Sequence, residues 1–149
     1  MKIRKITLAL LAVGSLAISA TAYAGPPVNI TFKHLGASNS PAAEYTIISQ
    51  NESLTYAYSS PKPRESVDPG DIDAYTVTNT LSPTINMAAV RYRMGSKSCE
   101  FYTAYVPGVG SMPPTWSKQA RSSGGARCQA NITRTNFNDH SWDIEFTMR

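Results

Sequence analysis

Two histidines, His34 and His140, are the side chains in this 149-residue sequence whose ordinary titration falls near neutral pH. Each stands beside turn-forming residues, so both are expected to be satisfied surface histidines rather than catalytic bases. The chain has no G-x-S-x-G elbow, no H-E-x-x-H and no glycine-rich phosphate loop. Glycoside hydrolysis needs two converging carboxylates. Asp143 and Glu145 share one face of an alternating segment, but that alternation explains them as its wet side. Asp68, Asp71 and Asp73 place three carboxylates in six residues, a pattern that suits calcium only when further oxygen ligands complete the loop. No glutamate closes this one, and a solvated turn is the simpler reading. His34 and the cysteines lack zinc-site spacing. The residues therefore ask for no metal, no cofactor and no catalytic step. The expectation is a non-enzymatic protein.

Cys99 and Cys128 are the only cysteines. Their meaning depends on compartment, which the N-terminus addresses. Met1–Lys5 is short and basic, residues 6–20 are uncharged and apolar, and Ala22-Tyr23-Ala24 supplies a small–x–small cleavage pattern. Such a stretch falls short of the roughly 20 apolar residues that span a bilayer. The reading is a cleaved bacterial signal over residues 1–24, with residues 25–149 as the exported domain, periplasmic or secreted. In an oxidising compartment an even pair of cysteines is expected to form a structural disulfide. Closing a loop of about 29 residues contributes roughly 3–4 kcal/mol in the chain-entropy account.

The signal also carries most of the charge asymmetry. Of the 14 Lys and Arg, three (Lys2, Arg4, Lys5) fall in it, against none of the 10 Asp and Glu, so the net charge drops from +4 to about +1 on cleavage. Arg91, Arg93 and Lys97 gather around one hairpin, but a nearly neutral domain without a recognisable module excludes nucleic acid as a partner.

Hydrophobic alternation with period two dominates the remaining chain. Val28, Ile30 and Phe32 share one face, as do Cys99, Phe101, Thr103 and Tyr105, and Trp142, Ile144, Phe146 and Met148. Eight strands are expected: 28–33, 44–49, 54–59, 73–78, 87–94, 98–106, 127–134 and 141–148. Prolines punctuate the gaps at Ser60-Pro61-Lys62-Pro63, Asp68-Pro69-Gly70, Ser82-Pro83 and Pro107-Gly108. Met94-Gly95-Ser96-Lys97 reads as a hairpin connection. The fold class is all-β, a single-domain antiparallel sandwich of about eight short strands stapled by one disulfide. Several segments are too short for the roughly 9–11 residues of an outer-membrane barrel strand.

The residues 107–126 are expected to form a long irregular connection, and long loops in compact domains are often functional. Within it, Trp116, Met112, Lys118 and Arg121 combine an aromatic anchor and a soft apolar side chain with two basic ones. That mixture suits an interface or a membrane–water boundary. These four are the candidate surface-binding residues, with Trp116 folding back onto the core as the competing account. Tyr56 and Tyr58 are expected to be half-buried strand tyrosines.

Taken together, the opening strand (Val28 to Lys33), the Asp68-Pro69-Gly70 turn feeding a strand to Val77, the Ser82-Pro83 step and the closing Trp-x-x-Glu-Phe strand (Trp142 to Phe146) resemble the aegerolysins. These are small single-domain β-sandwich proteins that bind membrane lipids and include haemolysins. The resemblance implies the architecture and contact with lipid, and it carries over no binding residue. Aegerolysins tend to be acidic and tryptophan-rich, and many lack a signal, whereas this chain is nearly neutral when cleaved and has two tryptophans. The resulting expectation is an exported binding protein that contacts membrane lipid or a cell-envelope component through an aromatic and basic loop. Two other readings stand beside it: a module that pairs with another protein by a sheet edge, and a small secreted hydrolase whose site is scattered along the chain.

Overall fold

The computed structural model describes residues 24–149; the expected signal, apart from Ala24, lies outside the described residues. Ten strands and one helix follow in the order β1 (Val28–His34), β2 (Ala43–Thr46), α1 (Gln50–Ala57), β3 (Ser59–Ser60), β4 (Ser66–Val67), β5 (Ile72–Val77), β6 (Asn86–Met94), β7 (Lys97–Val106), β8 (Thr115–Ser123), β9 (Cys128–Thr135) and β10 (Trp142–Met148). They form two five-stranded sheets, β3-β5-β1-β10-β9 and β4-β2-β6-β7-β8. All pairings are antiparallel except β1 with β10, which run parallel with Val28 opposite Trp142 and His34 opposite Met148.

The alternation seen in the sequence sets the inner faces. Val28, Ile30, Phe32, Trp142, Ile144, Phe146 and Met148 point from one sheet, and Val90, Tyr92, Cys99, Phe101 and Tyr105 from the other. Phe101 stacks on Phe146 with ring centroids 4.6 Å apart, and Phe32 stacks on Tyr92. Several polar atoms trapped here are paired, as burial favours. Trp142 Nε1 donates to Thr103 Oγ1 at 2.9 Å, and that hydroxyl donates onward to the Ser117 carbonyl at 2.9 Å. Asn86 is fully buried, and its Nδ2 donates to the carbonyls of Pro26 and Val77. The Cys99–Cys128 disulfide joins β7 of one sheet to β9 of the other.

Three expectations change. Residues 54–59 are not one strand: 54–57 belong to a helix, which also takes Tyr56 out of the strand expected for it, and only Ser59 is in a strand, β3. Ser49-Gln50-Asn51-Glu52 forms a capping box in which the Ser49 hydroxyl accepts from the Glu52 N–H and the Glu52 carboxylate accepts from Ser49 N, so the chain enters α1. Thr55 then docks the helix on β6 by accepting from Ala89 N. Residues 107–126 are not one irregular connection, because Thr115–Ser123 pairs along β7 as β8. His34 is not a surface histidine. It lies on the inner parity of β1 and is fully buried. Its Nδ1 accepts from Gly36 N at 3.0 Å, which leaves Nε2 as the donor to the Pro41 carbonyl at 2.9 Å, so both ring nitrogens are satisfied.

At the start of the described chain, Gly25 N donates to the Asn79 carbonyl at 2.8 Å. A Cβ at this position would come 2.7 Å from the carbonyl oxygens of both Ser82 and Ile85. Backbone cannot yield as a flexible side chain does, so the fold accepts only glycine there, immediately after the expected cleavage point.

Candidate surface-binding pole

The registers bring four chain segments to one end of the sandwich. Val28 faces Val77 and Trp142, Trp142 faces Thr135, and Tyr105 faces both Asn86 and Trp116. The loops 78–85, 107–114 and 136–141 therefore leave the same pole, together with residues 24–27. A shallow cavity of about 240 Å³ touches all four, with Pro26, Pro83, Tyr105, Pro107 and His140 among its walls.

The loop tips carry apolar side chains into solvent. Leu81, Val109, Met112 and Phe137 are 68%, 69%, 66% and 67% exposed, and Ile85 and Val106 are about half exposed. Isolated exposed apolar residues are ordinary, but a cluster on adjacent loops is not. The loops are also nearly devoid of charge. Residues 78–85 and 107–114 contain no Lys, Arg, Asp or Glu, and 136–141 contains only Asp139. That carboxylate accepts from the Ser141 N–H and hydroxyl at 2.9 and 2.7 Å, which hold its carboxyl below the usual carboxylate range.

An aromatic platform supports the tips from beneath. Trp116 is half-buried at the start of β8, tilted against Tyr105 at 5.3 Å and edge-on to Phe137 at 5.0 Å. Its Nε1 donates to the His140 carbonyl at 3.1 Å. His140 adopts a left-handed backbone, φ 60°, and its ring stacks on Tyr105 at 4.8 Å. Burial pushes the Tyr105 phenol up, so that ring stays uncharged at neutral pH. The loop 107–114 folds tightly on itself: Met112 N donates to the Val109 carbonyl, and a Cβ on Gly108 would meet the Met112 carbonyl. Platform and turn fix where the tips point.

Of the four candidate residues, Trp116 and Met112 belong to this pole. Lys118 and Arg121 lie further along β8 and, by strand parity, on opposite faces. Lys118 reaches across to β9 and donates to Asn131 Oδ1 at 3.2 Å. Arg121 sits opposite Glu100 on the outer face. Sequence reasoning missed Leu81 and Phe137, which stand in short connections, and passed over Val109 within the 107–126 segment it singled out. The signal available was that an uncharged turn carrying a large apolar residue is unusual for a solvated connection.

Most of the other polar groups weighed at the outset are engaged in structure. Asp71 and Asp73 pair with Arg64 at 3.6 and 3.8 Å. Asp143 pairs with Arg134 and Asn29, and Glu145 with Lys33. Arg91 bridges Glu52 and Glu100. Among the described residues no group of three or more His, Cys, Asp or Glu is placed to hold a metal ion, and no helix is long and apolar enough to cross a membrane. Compared with protein-family models, curated proteins and solved structures, the chain matches none.

Proposed function

We propose that the protein is an exported, non-enzymatic binding domain that attaches to a lipid surface by inserting the apolar pole. One observation carries this reading: large apolar side chains of three neighbouring loops stand in solvent on a nearly uncharged end of the sandwich. Water penalises such a surface by about 25 cal/mol per Å², and the acyl–headgroup boundary removes that penalty. The Cys99–Cys128 bond is compatible with an oxidising compartment, and the resemblance to aegerolysins points toward lipid contact. Lys118 and Arg121 lie away from the tips, so attachment rests on apolar insertion and not on attraction to anionic headgroups.

Tryptophan emission titrated with phosphatidylcholine vesicles tests this. Trp142 is fully buried in the core, so the responsive residue is Trp116. The expected result is a saturable blue shift that Trp116→Phe abolishes, with little change when salt or the anionic lipid fraction is raised. A shift that appears only with anionic vesicles and vanishes in salt would contradict apolar insertion.

A second reading, pairing with another protein by a sheet edge, is favoured by β8, a nine-residue strand at the end of its sheet. Lys118 and Arg121 on that strand are the kind of residue that discourages edge pairing, so this reading takes second place.

A further inference from the structure

Away from the pole, β2, β4 and the end of α1 border a groove of about 510 Å³. Its lining divides into two chemistries. Tyr45, Tyr56, Ile47 and Pro63 offer rings and hydrocarbon, while Glu44 and Glu65 offer carboxylates. The two tyrosine rings are 5.9 Å apart and inclined at 40°, so they form walls that meet at an angle. Tyr45 is held there by the edge-on ring of Tyr92 at 5.3 Å, and its N–H donates to the Glu65 carbonyl at 2.9 Å. Tyr56 is held by the docked helix.

Two features indicate what such a groove would take. The acids nearby, Glu52, Asp71 and Asp73, are each paired with arginine, but Glu44 and Glu65 take part in none of the ion pairs among the described residues. In addition, the Tyr56 ring already attracts a cation. Lys62 Nζ lies 5.1 Å from its centroid while donating to the carbonyls of Tyr56 and Ala57 at the C-terminal end of α1. A neutral apolar ligand would strip water from two carboxylates without compensating them. An anion would be repelled. A small hydrated metal ion would demand more oxygen ligands than the groove provides.

We propose that this groove binds an organic cation with an apolar shell, of the quaternary ammonium class. The methyl groups pack on the tyrosine rings, Ile47 and Pro63, and the diffuse positive charge is balanced by Glu44 and Glu65. This site is independent of the pole and of the lipid reading.

The test is a two-dimensional amide NMR titration of the folded protein with choline and with tetramethylammonium. The neutral isostere 3,3-dimethylbutan-1-ol serves as the control. Saturable shifts confined to 44–47, 56 and 64–66 are expected with both cations and not with the alcohol. The exposed-side-chain variant Glu44→Gln/Glu65→Gln should weaken binding about tenfold and Tyr56→Leu comparably, in line with a carboxylate-supported cation–π site. Phosphatidylcholine vesicles then identify the source: competition with choline marks a lipid headgroup, and none marks a soluble cation, and either keeps the site. Equal shifts with the alcohol, or no saturable shift with either cation while the spectrum stays folded, would overturn the proposal.

Discussion

Glu52→Ala will cost about 1.5–3 kcal/mol, the range for losing hydrogen bonds to a charged group. Glu52 is 1% exposed, and its carboxylate does three things at once. One oxygen accepts from Ile48 N and Ser49 N at 2.7 and 2.8 Å, closing the N-terminus of α1. The other accepts from Arg91 Nε at 2.8 Å, fastening the helix to β6. Alanine takes the shared acceptor from the Ile48 and Ser49 N–H groups, which water can then reach, and leaves the half-buried Arg91 guanidinium with Glu100 alone. The carboxylate also writes itself into the acid stability. Burial pushes its pKa up, but the two backbone N–H bonds and the Arg91 guanidinium outweigh burial and hold it below the usual range. A depressed carboxyl stabilises the fold above its ordinary unfolded value of about 4.3 and loses that contribution as pH falls through the lower folded value. Thermal melts of Glu52→Gln should therefore show a shallower loss below about pH 5 than the parent protein. Some slope will survive, because Asp143 is also held low by Asn29 and Arg134 despite its partial burial. An acid limb identical to that of the parent would contradict this role for Glu52.

The second large effect concerns the disulfide. Replacing Cys99 and Cys128 by alanine should lower stability by roughly 3–4 kcal/mol, since the bond closes a 29-residue separation. The position of the bond gives the loss a direction. β8 and β9 are the outer strands of their respective sheets, and β8 buries little more than Trp116 and Ala120. The disulfide and the Trp116–His140 hydrogen bond hold this side of the sandwich near its two ends. Hydrogen exchange after reduction should accelerate first in β8 and β9, while β1 and β10 stay protected. Uniform loss of protection across both sheets would show that the bond constrains the whole domain equally.

How much of this was legible in the sequence varied with how each element satisfies its backbone. β1, β7 and β10 announced themselves because one face is fully buried, which enforces strict alternation from Val28 to Phe32 and from Trp142 to Met148. β8 did not, because an edge strand that buries two residues leaves Thr-Trp-Ser-Lys-Gln-Ala-Arg-Ser-Ser looking like a polar connection. Helix α1 was hidden by the alternation of Leu54, Tyr56 and Tyr58. Its real marker was the Ser49-x-x-Glu52 capping box, a local signal that outweighed the weak periodicity. The pole was only half visible. Trp116 and Met112 stood out by residue type and Val109 shares the Met112 loop, but Leu81 and Phe137 join them through strand register, which sequence proximity does not show. Lys118 and Arg121 looked like their companions because linear proximity conceals both the rise that carries Lys118 down β8 and the alternation that turns Arg121 to the other face.

Co-sedimentation with phosphatidylcholine vesicles, run on one triple and one double variant beside the parent chain, tests the central claim most directly. Val109→Ser/Met112→Ser/Phe137→Ser removes three exposed tips at the pole, and Leu35→Ser/Ile72→Ser removes two exposed apolar residues at the opposite end of β1 and β5. None of the five supports the core, so melting temperatures should stay close to that of the parent protein. The account predicts that the parent and the Leu35/Ile72 variant pellet with vesicles while the pole variant stays in the supernatant. Equal pelleting of both variants, or no pelleting of the parent with any vesicle, would contradict attachment through this pole.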